Sequence, residues 1–122
     1  MGKFEVKEAK NGGYVFNLKA ANGEVIAVSE VYKTEDNCLS GIVGVKKAVE
    51  KADIEDQTVE NYAVAAHPKF EVYKDKAGEF RFRLKAVNGE IIATGESYKT
   101  KDGCLNGIES IKKNAPDAPV EK

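Results

Sequence analysis

Apolar and polar side chains alternate along residues 3–8, with Phe4 and Val6 on one face and Lys3, Glu5 and Lys7 on the other. This period of two predicts a half-buried strand. Asn11-Gly12-Gly13 supplies residues that accept positive φ, closing a hairpin into a second strand whose Tyr14, Phe16, Leu18 and Ala20 share one face. Asn22-Gly23 predicts a two-residue type I′ turn, and the third strand, Glu24 to Glu30, is apolar at both parities and so belongs inside a sheet. The period then becomes helical through Cys38, Leu39, Ile42, Val45 and Val49. Thr34 is placed as N-cap, Asp36 puts negative charge in the first turn, and Lys46-Lys47 suits the C-terminal end. A short fourth strand is placed at Gln57 to Glu60.

The whole pattern occurs twice. Lys3-Phe4-Glu5-Val6 recurs as Lys69-Phe70-Glu71-Val72, and the match runs without a gap to Lys112-Lys113 at a constant offset of 66 (69 − 3), with more than half the positions identical. The second copy places Phe80, Phe82, Leu84 and Ala86 on a core face. It also has Asn88-Gly89 in a turn, Thr100 at a cap, Cys104, Leu105, Ile108 and Ile111 on a helix stripe, and a closing strand at Pro119 to Glu121. The order is β-β-β-α-β, twice, an α+β chain. Residues 1–62 form repeat one, 63–68 a linker and 69–122 repeat two. One copy, without tryptophan or a disulfide framework, is too small to be comfortably stable alone, so the copies are expected to share a core as one intertwined domain. Gly41 and Gly107 interrupt the helices at a propensity cost of about 1 kcal/mol, which a close approach to the sheet would explain.

Charge is dense but balanced, 19 basic residues against 20 acidic, which argues against a strongly polyanion-binding protein. Residues 1–68 carry 8 basic and 11 acidic side chains, net −3, and residues 69–122 carry 11 and 9, net +2. No apolar run is long enough for a membrane span, and the N-terminus lacks an apolar signal region, so a cytoplasmic location is expected. Two cysteines in such a compartment are expected as free thiols.

The strings Gly78-Glu79-Phe80-Arg81-Phe82-Arg83-Leu84-Lys85-Ala86, Asn88-Gly89-Glu90-Ile91-Ile92-Ala93 and Tyr98-Lys99, then Cys104-Leu105-Asn106-Gly107-Ile108, resemble the YegP-like family of small bacterial proteins of uncharacterised function. The resemblance covers nearly the whole chain twice. It implies two β3-α-β units in a single antiparallel sheet, helices on one side, with each unit's last strand exchanged into its partner's half. It also implies that single-copy relatives build the same object as a homodimer. The first copy departs from the family pattern at Lys7, Val31, Val43 and Gly44, and in a longer tail from Lys51 to Tyr62.

Candidate chemistry is sparse. Cys38 and Cys104 lie in the first helical turn, where a thiol pKa can be lowered, but the favoured reading makes each a small buried hydrophobe of the apolar stripe. A thiol-dependent enzyme ranks third among the functions considered. His67 is the one histidine and is read as a linker residue, so no histidine-based metal site or paired Cys-His site can be built. No phosphate loop, dinucleotide fingerprint or Cys-x-x-Cys occurs, and no cofactor or enzymatic activity is expected. Arg81, Arg83 and Lys85 line one strand face, with Tyr73 beside them, a combination that can hold single-stranded nucleic acid. Val15 and Asn17 replace the arginines in the first copy, and Glu71 shares the face, so this is the runner-up. Tyr32 and Tyr98, between Glu30 and Lys33 or Glu96 and Lys99, are candidate contact residues at the strand-to-helix junctions, though packing over the sheet accounts for them too. The leading expectation is a monomeric, non-enzymatic interaction or stress-related binding module for a protein or small-molecule partner.

Overall fold

The computed structural model of the chain describes residues 2–122. Its elements are β1 (Lys3–Glu8), β2 (Tyr14–Lys19), β3 (Val25–Val28), α1 (Glu35–Lys51), β4 (Asp53–Asp56), β5 (Lys69–Lys74), β6 (Phe80–Lys85), β7 (Ile91–Thr94), α2 (Lys101–Asn114) and β8 (Val120–Glu121). The strands form one sheet in the order β4-β5-β6-β7-β3-β2-β1-β8. A pseudo-two-fold axis runs between β3 and β7, where Val28 meets Thr94, a pair 66 positions apart (94 − 28). Each half is completed by the other's last strand: β4 pairs with β5, and β8 with β1.

The six inner strands are antiparallel, but both exchanged edge strands run parallel to their neighbours, so the sheet is mixed rather than wholly antiparallel. Hairpins produce antiparallel neighbours, whereas a parallel pair needs a crossover of about a dozen residues. Residues 57–68 provide that crossover between β4 and β5. The fourth strand of repeat one also lies earlier than Gln57 to Glu60, directly after α1 with only Ala52 between. An edge strand with one open side needs no alternating apolar face, and Asp53-Ile54-Glu55-Asp56 shows none.

All four hairpins use one turn design. Ala20 N–H donates to Glu24 O and Gly23 N–H to Ala20 O, and the same pair of bonds closes the turns after Ala9, Asp75 and Ala86. Within these turns only the glycine takes positive φ, +85° at Gly23 and +83° at Gly89, while Asn22 and Asn88 do not. The loop is therefore the three-residue turn ending in a left-handed glycine, not the two-residue type I′ turn, which needs positive φ at both central positions. Asn22 and Asn88 act through their side chains, each Oδ1 accepting from the glutamate N–H two residues on at 3.0 Å.

Thr34 and Thr100 cap their helices, accepting from Asn37 N–H at 3.1 Å and Gly103 N–H at 3.0 Å. α1 runs one turn beyond Lys46-Lys47, to Lys51. α1 lies over β2 and reaches β7 of the other half, and α2 lies over β6 and reaches β3. One continuous core results, centred on Phe4, Phe16, Phe70 and Phe82, all fully buried. Burying each such ring stabilises by roughly 1.5–3 kcal/mol, and Phe4–Phe16 and Phe70–Phe82 add edge-to-face contacts at 5.7 and 6.1 Å. Tyr14, Ala20, Phe80 and Ala86, also expected on the core faces, pack against this core while half-buried.

Candidate functional site

The outer sheet face, away from the helices, brings Tyr73, Arg81, Arg83 and Lys85 together as the alternation predicts, with Tyr73 opposite Arg81 and Glu71 opposite Arg83. Each cation also meets a carboxylate. Arg81 Nε lies 3.0 Å from Asp75, Lys85 Nζ lies 3.3 Å from Glu71, and Arg83 donates to Glu71 while its guanidinium covers the Tyr73 ring at 4.5 Å. Beneath them, Lys69 Nζ bridges Glu55 at 2.7 Å and Glu71 at 3.2 Å, and all three side chains are buried. The crossover closes this network: Gln57 Nε2 and Ala65 N–H donate to the two oxygens of Glu55 at 2.6 and 2.8 Å.

Burial alone would push the Glu55 carboxyl up, but hydrogen bonds from Lys69, Gln57 and Ala65 outweigh it and hold the group at about 2. Glu71 is likewise held low, burial being overcome by Arg83, Lys69 and Lys85. Sequence reasoning places these charges on a solvated face; the polar parity of β5 gives no sign that a distant linker segment covers it.

Tyr32 and Tyr98 are half-buried packing residues. Each continues the sheet through a bridge, Tyr32 to Tyr14 and Tyr98 to Phe80, and each stacks on a core phenylalanine at 6.3 Å. Their hydroxyls reach over the helix glycines: a Cβ on Gly41 would lie 2.4 Å from Tyr32 Oη, and one on Gly107 would lie 2.3 Å from Tyr98 Oη. The approach that demands glycine is thus made by a tyrosine tip.

Cys38 and Cys104 are fully buried and unbridged. Desolvation, followed by the nearby Glu35, pushes the Cys38 thiol up, and desolvation with Asp56 pushes Cys104 up to about 11. Neither has the exposed, electropositive setting of a nucleophilic thiol. His67 sits in the crossover beside the Gly89 turn. Among the described residues no cluster of three or more His, Cys, Asp or Glu side chains is placed to hold a metal, and no helix is long and apolar enough to cross a membrane.

Two clefts related by the pseudo-axis open between the C-terminal part of each helix and a hairpin loop of the other half. The first, about 640 Å3, lies between α1 and the β6–β7 loop and is lined by Gly44, Lys47, Ala48, Lys51, Pro68 and Val87 among others. The second, about 510 Å3, lies between α2 and the β2–β3 loop and is lined by Ala21, Asn22, Asn106, Ser110, Lys113 and Asn114 among others. Under the offset of 66, Gly44 corresponds to Ser110, Ala48 to Asn114 and Val87 to Ala21. The first cleft is the more apolar, and Val87 at its rim is 75% exposed. Asn114 closes on its own helix, donating to Ser110 O at 2.8 Å. The departure at Gly44 is legible in the sequence; its partnership with Val87 and Pro68 is not, because the cleft joins elements from both repeats.

Two β3-α-β repeats with exchanged edge strands define the class of this protein, and comparison with known proteins agrees. A family model described as a domain of unknown function (DUF1508) matches residues 9–56 and 75–121, so the chain belongs to that family and carries its unit twice. The UPF0339 protein YegP of Yersinia pestis is 39% identical over 114 residues, covering 93% of this chain and 88% of that one. A UPF0339 protein of Treponema denticola is 71% identical over 52 residues, which is 43% of this chain but 90% of that protein, the size of a single repeat. The solution NMR structure of yegP from E. coli, described as a protein of unknown function, superposes with a TM-score of 0.80 at 29% identity, covering 98% of this chain and 90% of that one.

Proposed function

We propose that the protein is a non-catalytic binding module whose working surface is the cleft between α1 and the β6–β7 loop. The observation that carries this reading is the inequality of two clefts that the repeat would otherwise make alike: both are open, but the first is larger and more apolar, with Gly44 and Ala48 where the second has Ser110 and Asn114. A cavity of this size, mostly apolar with a few polar groups, has the general form of a small-molecule site. The β6 face gives less support to nucleic-acid binding, since Arg81, Arg83 and Lys85 each already face a carboxylate. A cytoplasmic setting fits two unbridged cysteines, and a monomer fits a sheet whose exchanged strands come from one chain.

Amide chemical-shift mapping with a neutral apolar probe, 1-octanol, tests the reading. Shifts confined to residues 44–51 and 86–88 are expected. Shifts spread over both clefts, or absent from the first, would refute it.

A further inference from the structure

We infer that the cleft takes a small organic anion, an apolar body carrying one carboxylate; this rests on the reading of that cleft as the working surface. The floor is set by Gly44 and Ala48 from α1, Pro68 from the crossover and Val87 from the opposite hairpin. Gly41 and Gly107 are glycines because tyrosine tips press on them, but Gly44 has no such neighbour: the nearest atom to a Cβ placed there is Ile92 Cδ1, at 3.9 Å. A helix-interior glycine is unfavourable relative to any ordinary residue. At Gly44 nothing inside the fold requires one, and its effect is to leave bare, apolar floor where the hydroxyl of Ser110 stands in the other half.

The charge of the occupant follows from the rim. Lys47 and Lys51 are one helical turn apart and so share a side of α1. Among the described residues, neither ammonium lies within 4.0 Å of a carboxylate. Glu50 is the single acidic residue lining the cleft, which leaves an excess of one positive charge beside an apolar floor. The second cleft holds Lys113 and Glu109, one of each sign, so it lacks the excess charge, and Ser110 and Asn114 make its floor more polar. An apolar body on Gly44 and Ala48 would place a carboxylate within reach of the two exposed lysines, with which it makes charge-assisted hydrogen bonds stronger than those of a neutral hydroxyl.

Titration of isotope-labelled protein with octanoate and, separately, 1-octanol at low salt provides the test. Octanoate is expected to shift the amides of Gly44, Lys47, Lys51 and Val87 and to bind about tenfold more tightly than octanol. The double variant Lys47→Gln with Lys51→Gln should bring the two ligands level, and Gly44→Leu, which fills the floor, should abolish both. Octanol binding as well as octanoate would overturn the anion inference while leaving the module reading in place. Failure of both ligands to move the cleft amides would overturn both, as would octanoate shifts that persist in folded Gly44→Leu protein. Melting curves of each variant establish that it is folded; if Gly44→Leu does not fold, the lysine double variant decides alone.

Discussion

Replacing Gly41 and Gly44 in turn by alanine should change stability in opposite directions, although the two positions lie three residues apart in one helix. Both substitutions gain about 1 kcal/mol of intrinsic helix propensity. At Gly44 little opposes that gain, because the new methyl meets only Ile92 Cδ1 at 3.9 Å, an ordinary contact. At Gly41 the methyl would fall 2.4 Å from Tyr32 Oη, 2.8 Å from its Cζ and 3.2 Å from Phe16 Cε2. The ring cannot simply retreat. Its backbone is fixed to Tyr14 by two hydrogen bonds of 2.7 Å, and it stacks on Phe16 at an interplanar angle of 14°. Overpacking of this kind costs about 1–3 kcal/mol, and displacing the stack a further 0.5–1.5 kcal/mol or so. Gly41→Ala should therefore lose about 0.5–3.5 kcal/mol net, and Gly44→Ala should gain up to about 1 kcal/mol. In thermal melts followed by circular dichroism these correspond to shifts of about 3–5 °C per kcal/mol. Tyr32→Phe, which removes the hydroxyl, should recover part of the loss in the Gly41→Ala background. A Gly41→Ala protein melting at or above the parent temperature would refute the tyrosine account of that glycine.

Lys69→Met should cost about 3–5 kcal/mol in urea denaturation at pH 7, because it leaves the buried Glu55 without a cation beside Glu71, which keeps Arg83 and Lys85; a loss below about 1 kcal/mol would contradict the network. In the parent protein Glu55 is depressed to about 2 and Glu71 and Asp56 are also held low, so their stabilisation is present above the ordinary carboxylate range and lost as pH falls through it toward 2. Denaturation midpoints at pH 7, 4 and 2.5 should decline in that order, and midpoints that do not decline would count against it. Native protein should react slowly with a thiol reagent at neutral pH and yield two thiols only on unfolding, since Cys38 and Cys104 are both buried; rapid labelling of either in the folded state would refute their burial. A fragment comprising residues 1–66 lacks the strand that completes its edge, β8, so it should sediment as a dimer or be unfolded; a stable folded monomer would refute the shared core.

Where side chains obey a local period, sequence and structure coincide. Phe16 and Leu18 alternate into the core, Thr34 and Thr100 cap, and Cys38, Ile42, Val45 and Val49 form the buried stripe of α1. What escaped depends on contacts between distant segments. β4 reads as polar because an edge strand needs no apolar face, and its parallel pairing follows from a crossover whose path local pattern does not encode. Glu55, Lys69 and Glu71 occupy solvent-type parity yet are buried, because Ala65 and Gln57 come back over them. On the β6 face, the strand alternation already puts Glu71 beside Arg81 and Arg83, but the pairing of Arg81 with Asp75, six positions away in the turn, depends on how the β5–β6 hairpin closes. Gly44 registers as a departure without a reason until Val87 and Pro68 are seen across from it.

The exchange of β4 and β8 between halves bears on what duplication made available. In a pair of identical chains bound by such an exchange, every change in one cleft appears in the other, and any asymmetry must be tolerated twice. Joined in one polypeptide, the halves find each other at an effective concentration set by the linker rather than by the cell's supply of subunits. They are also free to diverge. Gly44 and Ser110 occupy equivalent positions in a single sheet-and-helix frame, and one polypeptide can keep an apolar cleft at the first while its twin becomes more polar, which a pair of identical chains cannot.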